Sequence, residues 1–179
     1  FDIQETALSH TKSLLDAKGI PDSSYTLLLK SHESIRTYAQ PESVSCIVFN
    51  LGYLPAGDHT LATKPASTLI GIRQGLSLLK PGGLMTVCIY SGGDSGFEER
   101  DAVLEYLKGL DPRQFLVIVS QYYNRPKNPP VPVLINGFKF RAKLKEFGLS
   151  SMNQTPLTNM EDAIPSGGSA FTLVLQSSC

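Results

Sequence analysis

The sequence predicts an α/β protein built on an open, largely parallel sheet, and three observations carry that expectation. Short apolar, β-branched runs such as SVSCIVF at 43–49 and LMTVCIY at 84–90 have the composition of strands buried on both faces. Amphipathic stretches of helical spacing lie between such runs, which requires crossover connections and hence parallel neighbours. Two apolar runs near 115–123 and 131–135, separated by NRPKNPP, suggest an antiparallel hairpin at the C-terminal edge of the sheet.

Taken in order, residues 6–18 carry Ala7, Leu8, Leu14, Leu15 and Ala17 at helical spacing, and Gly19-Ile20-Pro21 ends that helix. YTLLLK at 25–30 is of strand length, and 33–39 predicts one or two helical turns. The strand at 43–49 is followed by polar, turn-rich sequence to Lys64, then by a helix over 65–79 opened by Pro65. Lys80-Pro81-Gly82-Gly83 reads as a tight turn before the strand at 84–90. SGGDSG at 91–96 reads as a strand-to-helix turn: it lacks the Lys-Ser/Thr of a phosphate-binding P-loop. The helix over 98–110 places acids in its first turn, where the helix dipole favours them.

These elements divide the chain into a domain over 1–135 and an extension over 136–179, the latter partly loop or disordered. Within the extension, 137–148 alternates apolar and basic residues and predicts a strand with one basic face. AFTLVL at 170–175 predicts a final strand.

Lys plus Arg and Asp plus Glu both number 16, so a protein that coats a polyanion by bulk charge is excluded. No apolar run approaches the ~20 residues of a bilayer-spanning helix. The chain opens on Phe and carries no signal peptide pattern. Cys46, Cys88 and Cys179 are odd in number and far apart, which points to a reducing intracellular compartment and away from a zinc or disulfide framework. Cys46 and Cys88 fall within strand runs and read as core. His10, His32 and His59 lack ligand spacing, so no metal site is expected.

In an open parallel sheet ligands bind beyond the carboxyl ends of the strands. The residues placed there are Asp2 and Ile3, Ser31 and His32, 50–55, 91–96 and 124–130. Asn50 directly follows the most buried strand; its side-chain oxygen and the next carbonyl can each accept a hydrogen bond from an amine. Tyr53 can offer a ring face to a flat base.

FDIQ at 1–4, KSHE at 30–33, FNLGYLP at 49–55 with Gly57-Asp58, TKP at 63–65, LKPGG at 79–83 and NRPKNPP at 124–130 occur in that order. This set resembles the rRNA methylase family of class I S-adenosylmethionine-dependent methyltransferases, over about residues 1–135. The resemblance implies a Rossmann-like class I methyltransferase open sheet. Its best-understood members methylate the aminomethyl group of 5-aminomethyl-2-thiouridine at the tRNA wobble position.

By resemblance, Asp2 is the acid that bonds the ribose hydroxyls of S-adenosyl-L-methionine, and Ile3 packs on its adenine. Ser31 and His32 stand at the adenine edge, and Asn50 and Leu51 border the cofactor. Asn50, Tyr53 and Asp58 are the catalytic candidates. Tyr53, Lys64, Arg125 and Asn128 fall on the substrate side. The implied chemistry is an in-line displacement, in which the protein positions an unprotonated amine against a sulfonium methyl. The implied partners are a tRNA or other RNA substrate, gripped by a local basic patch of Arg36, Lys64, Arg125 and Lys127, and a second copy in a homodimer.

The sequence departs from the family in two places. Phe1 aligns with the end of the second strand, so the first strand and its glycine-rich loop have no counterpart here, and the run at 170–175 is expected to fill the sheet edge this leaves. The histidine usual in the loop at 91–96 is also missing. These departures keep open a non-catalytic, truncated methyltransferase-fold isoform, or a methyltransferase for a small-molecule amine.

Overall fold

The computed structural model describes residues 1–51, 64–91, 96–138 and 171–176. Helix α1 spans Glu5–Ala17 and ends where Gly19 adopts a φ of +67°, a left-handed conformation that costs glycine little. Short 3₁₀ helices follow at Asp22–Ser24 and His32–Thr37. Strand β1 is Val44–Asn50, α2 is Pro65–Leu78, β2 is Leu79–Ile89 and α3 is Gly96–Lys108. The chain then forms β3 at Phe115–Val119, β4 at Val131–Gly137 and β5 at Phe171–Gln176.

The five strands form one sheet in the order β3-β4-β2-β1-β5. β1 runs parallel to β2 and to β5, while β4 runs antiparallel to both β2 and β3. The sheet is thus the mostly parallel one expected, with the antiparallel hairpin forming one margin. Its core joins Ile47 and Phe49 of β1, Met85 and Ile89 of β2, Ile135 of β4, Ile72 and Leu78 of α2, and Val103 of α3.

Two local expectations are corrected. YTLLLK at 25–30 forms no strand; it contributes a single parallel bridge between Leu29 and Asp2. One bridge does not make a ladder, so the run stays outside the five-stranded sheet. Lys80–Gly83 is not a turn preceding a strand but an irregularity inside β2. The register steps from Val44 opposite Leu79 to Cys46 opposite Leu84, and the surplus residues bulge out with Gly82 at φ +76°. The predicted basic strand at 137–148 lies, beyond Phe138, outside the described residues.

Candidate active site at the carboxyl end of the sheet

The strand directions decide which residues meet. Asn50 ends β1 and is exposed, in register with Cys88 of β2 on one side and Gln176 of β5 on the other. Leu51 continues the chain with its N–H donated to the Cys88 carbonyl at 2.9 Å, and its side chain is wholly buried. Leu51 therefore fixes where the following loop departs from the sheet. Tyr53 and Asp58 lie outside the described residues.

Asp2 is held in the backbone by two hydrogen bonds: its N–H donates to the Leu28 carbonyl and its own carbonyl accepts from Lys30. The Asp2 carboxylate is buried and accepts the Gln4 N–H at 2.8 Å, at the residue that caps α1. Ile3 beside it is half exposed. The pair offers a fixed carboxylate next to an apolar surface.

From the Leu29 bridge the chain turns at Ser31, whose hydroxyl oxygen accepts the Glu33 N–H and caps the second 3₁₀ helix. His32 is only 7 % exposed and packed edge-on against Phe49 with ring centroids 6.1 Å apart, and its Nε2 is buried without a hydrogen-bond partner. Burial pushes its pKa down, outweighing the acids Glu33 and Glu99, so the neutral ring is favoured. His32 thus ties the Asp2–Ser31 region to the residue before Asn50 and, at Gly71, to α2. Three predicted positions, Asp2, Ser31 and Asn50, are brought to one end of the sheet by this arrangement.

The loop carrying Arg125 and Asn128 reaches the same end. β3 and β2 both run antiparallel to β4, so the β3–β4 connection leaves β3 where β2 also ends. Arg125 and Asn128 are exposed, as is Lys64 at the start of α2.

Two features were not found from sequence. Thr68 donates to the buried carboxylate of Glu99 at 2.6 Å, joining the first turns of α2 and α3. The hydrogen bond ties together the starts of the two helices. The acidic first turn of α3 hinted at Glu99, but its partner is distant in the chain. The second feature is aromatic. Tyr90 after β2, and Tyr122 and Tyr123 after β3, expose their rings, Tyr123 completely. The loop of Tyr122 and Tyr123 also holds Arg125 and Lys127 and no acid between Ser120 and Pro130.

An open sheet with crossover helices on a parallel core, an antiparallel closing strand, and candidate ligand residues at the carboxyl ends defines a Rossmann-like class I methyltransferase fold. The chain belongs to the family described as "Putative rRNA methylase", whose model matches residues 1–136. It is 36 % identical over 142 residues to the chloroplastic tRNA (mnm(5)s(2)U34)-methyltransferase of Arabidopsis thaliana, covering 78 % of this chain and 51 % of that protein. The chain thus spans about half the length of this curated relative. A crystal structure described as a putative rRNA-methylase from Clostridium thermocellum matches with a TM-score of 0.73 and 40 % identity, over 77 % of this chain and 73 % of that one. A putative methyltransferase from Streptococcus mutans, solved in complex with SAH, matches with a TM-score of 0.69 and 37 % identity, over 77 % of this chain and 74 % of that one. Among the described residues no helix is long and apolar enough to cross a membrane, and no group of three or more His, Cys, Asp and Glu side chains could hold a metal ion.

Proposed function

We propose that this chain is the methyl-transferring unit of an S-adenosylmethionine-dependent enzyme whose acceptor is an RNA nucleoside amine, the aminomethyl group of a modified tRNA wobble uridine. The observation that carries the reading is the convergence of Asp2, Ser31 and Asn50 on one end of the sheet in a member of this family. Two relatives support its parts: one named for tRNA U34 methylation and one solved with the demethylated donor bound.

The residues present fit such a donor. The buried Asp2 carboxylate suits a pair of ribose hydroxyls, and the exposed Ile3 suits the face of an adenine. Ser31 stands at the turn beside them. The donor supplies a methyl group on a sulfonium. Everything else asked of the protein is positioning and desolvation of an uncharged amine. Asn50 accepts a hydrogen bond from that amine through its side-chain oxygen, leaving the nitrogen lone pair directed at the methyl. Tyr53 and Asp58 are assigned to the acceptor side as stacking surface and amine anchor. Lys64, Arg125 and Asn128 contact RNA backbone, and the exposed Tyr122 and Tyr123 offer stacking faces to unpaired bases of an anticodon loop.

The test incubates the protein with S-adenosylmethionine and tRNA bearing 5-aminomethyl-2-thiouridine, then digests the RNA and weighs the nucleosides. The expected result is the mass of one added methylene on that nucleoside alone. S-adenosylmethionine binding in calorimetry without methylated RNA would remove the RNA acceptor and retain the donor. Absence of both would remove the enzyme reading.

A further inference from the structure

Thr68 and Glu99 form a buried polar pair that the reaction proposed above leaves without a role. Both side chains are buried, and the Thr68 hydroxyl donates to the Glu99 carboxylate at 2.6 Å. Apolar side chains of similar shape would close the same gap between α2 and α3 without the desolvation that a buried carboxylate costs. What they would not supply is direction. Apolar burial tolerates sliding, whereas a short hydrogen bond fixes a distance and an angle.

Each partner is anchored to a different part of the proposed site. On the Glu99 side, α3 begins at Gly96, which is buried against the backbone that follows β2. A Cβ there would stand 3.2 Å from the carbonyl carbon of Ser91 and 3.3 Å from the carbonyl oxygen of Tyr90. The start of α3 is therefore set by the end of β2, where Cys88 lies opposite Asn50. On the Thr68 side, the Thr68 N–H donates to the Lys64 carbonyl at 3.1 Å, and the Ser67 hydroxyl donates to the same carbonyl at 2.9 Å. Lys64 itself is exposed and caps α2 ahead of Pro65. A continuous path of close contacts thus runs from the end of β2 through Glu99 and Thr68 to the backbone of Lys64.

We propose that Thr68 and Glu99 are positioning residues for the acceptor RNA: they hold the Lys64 backbone at a fixed offset from the carboxyl end of the sheet, so that this cation meets an RNA phosphate while the nucleoside amine stands at Asn50. A lysine carries its charge on a flexible four-carbon stem, so the fold can preset only its backbone. The pair touches no substrate and acts through Lys64. This inference rests on the RNA reading above and adds to it the residues that set one of its phosphate contacts.

Binding of an anticodon stem-loop RNA bearing 5-aminomethyl-2-thiouridine, measured over a range of salt and expressed per folded molecule, tests it. Lys64→Ala is expected to lower the slope of log affinity against log salt by about one unit, the signature of one lost phosphate contact. Thr68→Val keeps shape and removes the donor; it is expected to lower the slope by about half a unit or more, and Thr68→Ser to restore the parent slope. Glu99→Leu removes the acceptor from the other side, is expected to match Thr68→Val, and replaces it should that variant fold poorly. In the Lys64→Ala background Thr68→Val is expected to change the slope no further. A pair with only a structural role would lower the folded fraction and leave the slope per folded molecule untouched. A parent slope in Thr68→Val and Glu99→Leu would therefore overturn the proposal, as would an undiminished effect of Thr68→Val on top of Lys64→Ala. Failure of the unaltered protein to bind the RNA would instead remove the RNA reading, and this inference with it.

Discussion

Gly71 and Gly75 lie one turn apart in α2, and the structure predicts different outcomes for the same substitution. A Cβ added at Gly71 would stand 2.5 Å from Cδ2 of His32 and 3.2 Å from Cε1 of Phe49. A Cβ at Gly75 would stand 2.6 Å from Cε of Met85. Both changes gain helix propensity of about 1 kcal/mol. The neighbours differ in their freedom to move. Met85 presents the end of an unbranched side chain that can rotate away. His32 is a rigid ring, pressed on Phe49 and buried, so making room shifts the whole 3₁₀ helix off α2. Overpacking of that kind costs about 1–3 kcal/mol. Gly71→Ala is therefore expected to lose up to about 2 kcal/mol net, and Gly75→Ala to stay within about 1 kcal/mol of the parent. Since 1 kcal/mol moves the midpoint of a domain this size by about 2–4 °C, Gly71→Ala should melt lower by up to roughly 8 °C. Urea and thermal unfolding followed by circular dichroism measure both. Adding Gly71→Ala to a His32→Ala background should cost little, because the truncated side chain leaves the space; the double-mutant cycle should give a coupling of about 1 kcal/mol or more. A Gly71→Ala protein as stable as the parent, with no coupling to His32, would refute the packing argument.

Thr68→Val keeps shape but removes the donor to the buried Glu99 carboxylate, and urea unfolding should show a loss of about 1.5–3 kcal/mol. His32 titrates below its ordinary value in the folded state because it is buried. The unfolded chain therefore binds the proton more readily, and stability should fall as pH drops below about 6.5. Melting midpoints from pH 8 to pH 5 check this, and the His32→Phe variant should show a flatter profile over that interval. Asn50→Ala should lower methyl transfer on the order of a hundredfold, with S-adenosylmethionine affinity little changed, whereas Asp2→Ala should lose that affinity first; turnover per folded molecule and calorimetry separate the two. Tyr123→Ala should weaken RNA binding by about 1–3 kcal/mol if one base stacks on it, as measured by filter binding at fixed salt.

Legibility in the sequence followed the range of the interactions. β1 and α2 were legible because their signals are local: a β-branched apolar run, and a proline in the first turn followed by apolar residues at helical spacing. The run at 25–30 carries the same kind of signal and misleads, since a strand is made by its neighbour, and here the pairing is a single bridge from Leu29 to Asp2. Lys80–Gly83 misleads in the other direction: its turn chemistry is real, but the paired residues on both sides absorb it into β2 as a bulge. In the candidate site, Asp2, Ser31 and Asn50 could be placed from the rule that ligands sit beyond strand ends. The Thr68–Glu99 hydrogen bond could not, because it joins residues 31 positions apart through a buried contact that neither local pattern announces.

His32 illustrates how position along the chain and position in space part company. Its place after an apolar run put it among the residues beyond the strand ends, and the family resemblance set it at the adenine edge of the cofactor. Its burial against Phe49 and Gly71 gives it a second role that the run cannot reveal. The ring links the turn at Ser31 to the strand that ends in Asn50, and β5 makes a second link between the same two regions through Phe1. The donor side and the acceptor side of the proposed site are therefore held together from opposite directions: by a side chain under α2, and by backbone hydrogen bonds in the sheet. Weakening one link should leave the other, so His32→Ala and Leu173→Pro should each be tolerated better than both together. A loss in the double variant that merely sums the single losses would mean the two links do not constrain the same gap.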